Sequence, residues 1–126
     1  MLHITKINPE FTDTRGAISR IVEIDSRMKV ALFISSKAGS IRANHYHKHD
    51  THYTFLLSGK FEYIEKDLMA NAKIESQVIV PGDLVISPPN RIHAMKFLED
   101  STMVVISTEP RDQQSYEADT IRTKLV

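Results

Sequence analysis

The 126-residue sequence contains no cysteine, which excludes disulfides, thiolate metal ligands and thiol nucleophiles. It has no excess of either charge sign: 16 basic residues balance 16 acidic ones. That leaves no basic field for nucleic acid or for an anionic membrane. No apolar run approaches the roughly twenty residues of a membrane span. The opening MLHITKINPE lacks the apolar segment of a secretion signal, so a cytoplasmic protein is expected. Helical patterning is scarce as well. Residues 67–72, DLMANA, are the one stretch able to take a helical turn, and they are too short for a stable helix. Internal repeats, low-complexity tracts and linkers are absent. With 41% hydrophobic and 25% charged residues, the chain suits one globular domain over 1–126.

What is present is a succession of short runs rich in strand formers, separated by turn residues. Strands are expected at 2–7, 17–24, 28–35, 41–48, 52–57, 61–64, 73–80, 84–87, 92–98 and 102–108. Residues 11–16, FTDTRG, read as a turn hinged on Gly16, while Ser58-Gly59-Lys60 and Pro81-Gly82-Asp83 are hairpin and turn signals. The run 28–35 is apolar enough for both faces to be buried. The polar tail after residue 108 could cover a sheet edge or reach a partner subunit. About eight to ten short strands with essentially no helix predict an all-β sandwich or small barrel. Such a domain has open sheet edges, and a homodimer is expected to cover them, with the 2–7 strand and the tail both available for exchange.

Residues 39–59, GSIRANHYHKHDTHYTFLLSG, hold His45, His47, His49 and His52. His45 and His47 lie two apart in an extended run, so their side chains leave the same face. A turn after them folds HYTFLL back on the first run and brings His52 beside the pair. Two imidazoles on one strand and a third from its neighbour suit a metal site, with a further ligand from elsewhere. The alternative is a polar barrel lining without metal, although crowded imidazoles repel one another when charged. Strict alternation turns Arg42, Tyr46 and Lys48 away from the histidines unless a bulge intervenes. His49 falls in the turn and reads as exposed, or as a residue behind the site. His3 reads as surface, and Tyr63 as core or as a residue at the mouth of a barrel.

These residues resemble the two motifs of the cupins, small double-stranded β-helix barrels of the jelly-roll type. The first motif is matched over 39–59 by Gly39, SIRAN, His45-Tyr46-His47, KHDT, His52, YTFLLS and Gly59, with His52 where the family usually has glutamate. The second is matched over 82–97 by Gly82, DLVIS, Pro88-Pro89-Asn90, RI and His93; Asn90 replaces a glycine and Phe97 stands at an asparagine position. The resemblance implies that His45, His47, His52 and His93 ligate one divalent transition metal per chain: zinc, iron, manganese, nickel or copper. A narrower likeness links the chain to cupin ketoisomerases and 3,5-epimerases of dTDP-4-keto sugars. It rests on DTRGAISRIVEI, on Arg42-Ala43-Asn44-His45-Tyr46-His47-Lys48 and on the ending SYEADTIR. Those enzymes typically need no metal and use a histidine as base.

Three functions follow as expectations. The first is an isomerase or epimerase that shifts a proton next to the carbonyl of a small polar or sugar-like substrate, free or nucleotide-linked. It needs a base near neutral pKa and an electrophile for the enolate oxygen. If a metal is the electrophile, an imidazole bound to it cannot be the base, and that role falls to His49, to a tyrosine such as Tyr63, or to a histidine outside the shell. The second is a metal-dependent dioxygenase acting on a small chelating substrate. The third is a non-catalytic small-ligand module.

Overall fold

Alternation decides the architecture. In β6 (His52–Ser58) and β11 (Ser101–Ser107) alternate side chains are buried, and the two strands pair antiparallel. Flanked by β9 (Asp83–Ser87), β1 (His3–Lys6) and β4 (Val30–Ser36), they form a five-stranded sheet of order β1-β9-β6-β11-β4. A second five-stranded sheet has the order β12-β5-β10-β7-β8, from β5 (Ile41–His47), β7 (Phe61–Asp67), β8 (Glu75–Ile79), β10 (Arg91–Phe97) and β12 (Thr120–Arg122). The computed structural model describes all 126 residues and is a jelly-roll barrel, the all-β class that the strand pattern predicts. No helix is long and apolar enough to cross a membrane.

The interior is graded along the barrel. At one end Leu56 faces Met103 across β6 and β11, and Phe61 faces Phe97 across β7 and β10. These side chains belong to one buried apolar cluster, each contributing roughly 1.5–3 kcal/mol of transfer free energy. Two rows further on, the inward positions become polar: His52 pairs with Ser87 and Ser107, and His93 pairs with Glu65 and His45. The strand period therefore builds a hydrophobic floor under a polar chamber.

Four local features differ from the expectations. Residues 11–18 form a hairpin, β2 (Phe11–Asp13) with β3 (Gly16–Ile18), and strand structure ends at Ile18 instead of continuing to residue 24. No layer covers the outer face of β4, so only its inward face is shielded and Phe33 is 67% exposed, where burial of both faces was expected. The tail folds into a helix, α1 (Gln113–Asp119), capped by Asp112, whose carboxylate accepts from the Ser115 N–H at 3.0 Å. Residues 67–72 carry no helix. The fourth feature is that the edge segments join the chain's own sheets, β1 beside β9 and β12 beside β5, each with its other side open.

Candidate functional site

β5 is where the sequence departs from regular alternation. Ala43 and Asn44 both have left-handed backbone, with φ of 69° and 57°, and the pairing with β10 slips between His93↔His45 and Ala94↔Ala43. Such a bulge inserts one residue and reverses the parity beyond it. His45 and His47 keep the inward face, while Arg42 is brought opposite Met95 and lines the chamber. The bulge is held by the tail: the Asn44 side chain accepts from the Leu125 and Val126 N–H groups at 2.9 and 3.1 Å.

The four expected histidines come together, in two overlapping groups. Ring centroids are 4.5 Å apart for His45 and His47, 4.9 Å for His45 and His93, and 4.7 Å for His47 and His52. His45, His47 and His93 bring their ligand nitrogens within 4.8 Å of one another, and His47 and His52 form a second such set with Asp50. The His52 Nε2 lies 2.7 Å from Asp50 Oδ2. Asp50 in turn accepts from Ser107 Oγ and from the Thr108 N–H. On the other flank, His47 Nδ1 stands 3.2 Å from Thr120 Oγ1 and 3.6 Å from Asp119 Oδ2.

Burial first, and then the neighbouring imidazoles His47 and His52, push His45 down to about 3. Burial and His52 likewise push His47 down to about 4, against the opposing pull of Asp50 and Asp119. His93, buried among the other three, is held well below the ordinary histidine range. Burial raises the Asp50 carboxyl, but the hydrogen bonds from His52, Ser107 and Thr108 outweigh it and hold the group at about 2. At neutral pH, then, three bare imidazoles stand beside an ionised Asp50. Only two buried side-chain polar atoms in the chain lack a hydrogen-bond partner, His47 Nε2 and Thr54 Oγ1. Neutral nitrogens in a close set, one of them orphaned, fit a divalent transition metal at His45, His47 and His93.

The cavity beside this cluster measures about 120 Å³. Leu32, Ile34, Met95, Met103 and Val105 give it an apolar wall, and Arg42, His45, His52, Thr54 and His93 a polar one. Arg111 and Tyr116, from the tail and α1, complete it, with the Arg111 guanidinium 4.1 Å from the Tyr116 ring centroid. The two expected candidates for a base lie elsewhere. His49 is exposed on the β5–β6 turn, where its backbone N–H donates to Asp119 Oδ1. Tyr63 is fully buried below the chamber and its hydroxyl donates to Glu65, with Ser87 Oγ at 2.8 Å; burial and Glu65 push this phenol well above 10.

Sequence reasoning missed Asp50, Arg111, Tyr116 and Thr120, and it turned Arg42 outward. The one signal for this end of the chain was the stretch SYEADTIR, which supplies Tyr116, Asp119 and Thr120.

No protein-family model and no curated protein matches the chain. Solved structures do match. A 3,4-ketoisomerase from Helicobacter canadensis is 19% identical, with a TM-score of 0.76 over 96% of this chain and 90% of that one. A 3,4-ketoisomerase from Thermoanaerobacterium thermosaccharolyticum, a double mutant in complex with TDP, is 22% identical with a TM-score of 0.71, covering 97% of this chain and 87% of that one. A dTDP-4-dehydrorhamnose 3,5-epimerase from Elizabethkingia anophelis is 16% identical with a TM-score of 0.74, covering 90% and 72%. At these identities the likeness establishes the fold: a cupin-type jelly roll, as the motif spacing implies.

Proposed function

We propose that the protein is a sugar isomerase or epimerase that moves a proton next to a carbonyl. The observation that carries this reading is the His52–Asp50 pair at the cavity wall. Asp50, held ionised, accepts from Nε2–H and so fixes the tautomer that leaves the Nδ1 lone pair for the substrate. A base so oriented takes the proton from the carbon beside the carbonyl, giving an enolate. The Thr54 and Tyr116 hydroxyls line the same cavity as donors for the enolate oxygen. On an α-hydroxy ketone, protonated His52 returns the proton to the former carbonyl carbon while the hydroxyl proton passes to the enolate oxygen, so that ketone and alcohol exchange places in an isomerisation. Return at the same carbon from the opposite face, by a second acid, would be an epimerisation. The activities named for the structural neighbours, 3,4-ketoisomerase and 3,5-epimerase, are of this kind.

A divalent metal held by His45, His47 and His93 would add Lewis-acid polarisation of the carbonyl oxygen. Those three imidazoles also support the second reading, a metal-dependent dioxygenase on a small chelating substrate.

The test is solvent-deuterium incorporation into keto sugars, run beside an oxygen electrode. Incorporation without oxygen uptake is expected, and Asp50→Asn should slow it by about 10²- to 10⁴-fold. Oxygen uptake without exchange would replace this reading with the dioxygenase.

A further inference from the structure

The arginines divide into two classes. Arg15, Arg20, Arg27, Arg91 and Arg122 each pair with a carboxylate, although several of these pairs lie in full solvent. Arg42 and Arg111 pair with none, and these are the two that line the cavity. Arg42 spends Nε on Ser36 Oγ and Nη2 on the Ser35 carbonyl, neutral acceptors at 2.7 and 2.9 Å. Arg111 lies against the Tyr116 ring. No carboxylate lines the cavity. Asp50 is engaged with His52, Ser107 and Thr108, and Asp119 with the His49 and Asp50 N–H groups. The cavity thus carries two permanent cations without a counter-charge, and the Thr54 hydroxyl in it lacks a hydrogen-bond partner. A guanidinium on a partly apolar wall favours an oxyanion as partner, because its planar fork matches carboxylate and phosphate oxygens.

Size narrows the ligand further. Drug- and cofactor-sized ligands occupy pockets of roughly 300–1,000 Å³. The chamber here, about 120 Å³ and open at its mouth, holds roughly a benzene-sized group, so the part of the ligand seated inside it is small.

We propose that the cavity takes a small keto compound bearing one oxyanion, a carboxylate or a phosphate held by Arg42 and Arg111, and not a nucleotide-linked sugar. This rests on reading the cavity as the substrate site of the proposed isomerase. It adds that the anionic group belongs to the reacting molecule itself. The oxyanion anchors one end, while the apolar wall of Leu32, Ile34 and Val105 leaves little for a longer polar ligand to bond.

The experiment is calorimetric titration of the purified 126-residue chain with 2-oxobutyrate, inorganic phosphate, the neutral ketone dihydroxyacetone, and thymidine diphosphate. Binding of 2-oxobutyrate or of phosphate is expected, and the tighter of the two identifies the anion class. Dihydroxyacetone should bind at least tenfold more weakly. Arg111→Gln should weaken the oxyanion at least tenfold, and Arg42→Gln should do the same if it remains folded. Because Arg111 makes no hydrogen bond to the barrel, its variant keeps the test decisive should Arg42→Gln unfold. Thymidine diphosphate binding ten times tighter than either small anion would overturn the proposal. So would oxyanion binding indifferent to Arg111→Gln, which would place the anion on a metal or elsewhere on the surface. Equilibrium binding needs no turnover, so failure here leaves the deuterium test of the His52 base intact. Failure of that test likewise leaves an anion site standing.

Discussion

Histidine 47 has almost no exposure, an orphaned Nε2 and a pKa pushed down to about 4 by burial. In the unfolded chain the same group titrates at its ordinary value near 6.5. Between these values the unfolded state binds a proton that the folded state refuses, so folding stability must fall as pH drops below about 6.5 and level off near the folded value. For His47 alone the loss between pH 6.5 and pH 5 is roughly 2 kcal/mol. His45, pushed down to about 3, adds to it in the same direction. Asp50 enters at lower pH: its folded value of about 2 lies below the ordinary aspartate value, so its contribution is present above about 4 and is lost as pH falls toward 2. Urea midpoints of chelator-treated protein at pH 7.5, 6 and 5 should decline in that order. A flat profile would mean that the imidazoles are not buried neutral groups. Much of this cluster was legible beforehand, because parity fixes His45 and His47 on one face and motif spacing points to His93. Asp50 was not legible. It acts from the turn between two strands, where no periodicity governs the direction of a side chain.

At the scale of elements the same distinction holds. The strands were readable because half-buried antiparallel strands must alternate, as β11 does throughout and β6 does from His52 to Leu56. The helix α1 was not, because QQSYEAD carries no apolar stripe, and what it covers is covered by Tyr116 and the buried Asp119. The bulge at Ala43 and Asn44 was illegible for another reason. Neither residue is the glycine that usually marks left-handed backbone, and asparagine accepts that region because its side chain bonds locally. Here the Asn44 side-chain amide accepts from the Leu125 and Val126 N–H groups and donates to the Val126 main-chain oxygen, and the Asn44 backbone carbonyl accepts from the Thr123 N–H. Asn44→Ala removes three side-chain hydrogen bonds and leaves a Cβ residue in strained backbone. Thermal unfolding should report a loss of about 2–3 kcal/mol. Asn44→Gly keeps the backbone relaxed and should lose less. Equal losses for the two variants would show that the tail contacts, and not the backbone, set the cost. At Gly59, with φ of 92°, a methyl group would overlap the backbone of Asp100 and Ser101. Gly59→Ala should therefore destabilise more than either Asn44 variant.

At the scale of the whole molecule, one face is only partly covered. The β2–β3 hairpin exposes Phe11 and Ile18 at 54% and 64%, and a lone two-stranded hairpin is marginal in water. Beyond it Ile24 is 70% exposed, and the outer face of the first sheet presents Phe33 at 67%. Beside Phe33, which pairs with Val104, runs a groove lined by Tyr53, Phe55, Val104 and Ile106 of the sheet and by Ile21, Val22 and Ile24. Apolar surface of this extent marks an interaction face. We propose that its occupant is a second copy of the chain. A two-fold axis would set the groove and Phe33 of one copy against those of the other, which is the requirement of a self-complementary interface. This homodimer packs face to face, whereas the sequence pointed to sheet edges; β1 and β12 pair on one side only and remain edge strands. Sedimentation equilibrium at micromolar concentration should return twice the 14.4 kDa chain mass. Phe33→Asp should give the monomer with its fold retained, since that side chain contributes little to the barrel's own core. A wild-type monomer would remove the second copy as occupant. A dimer unaffected by Phe33→Asp, and equally by Phe55→Asp, would move the interface to another face.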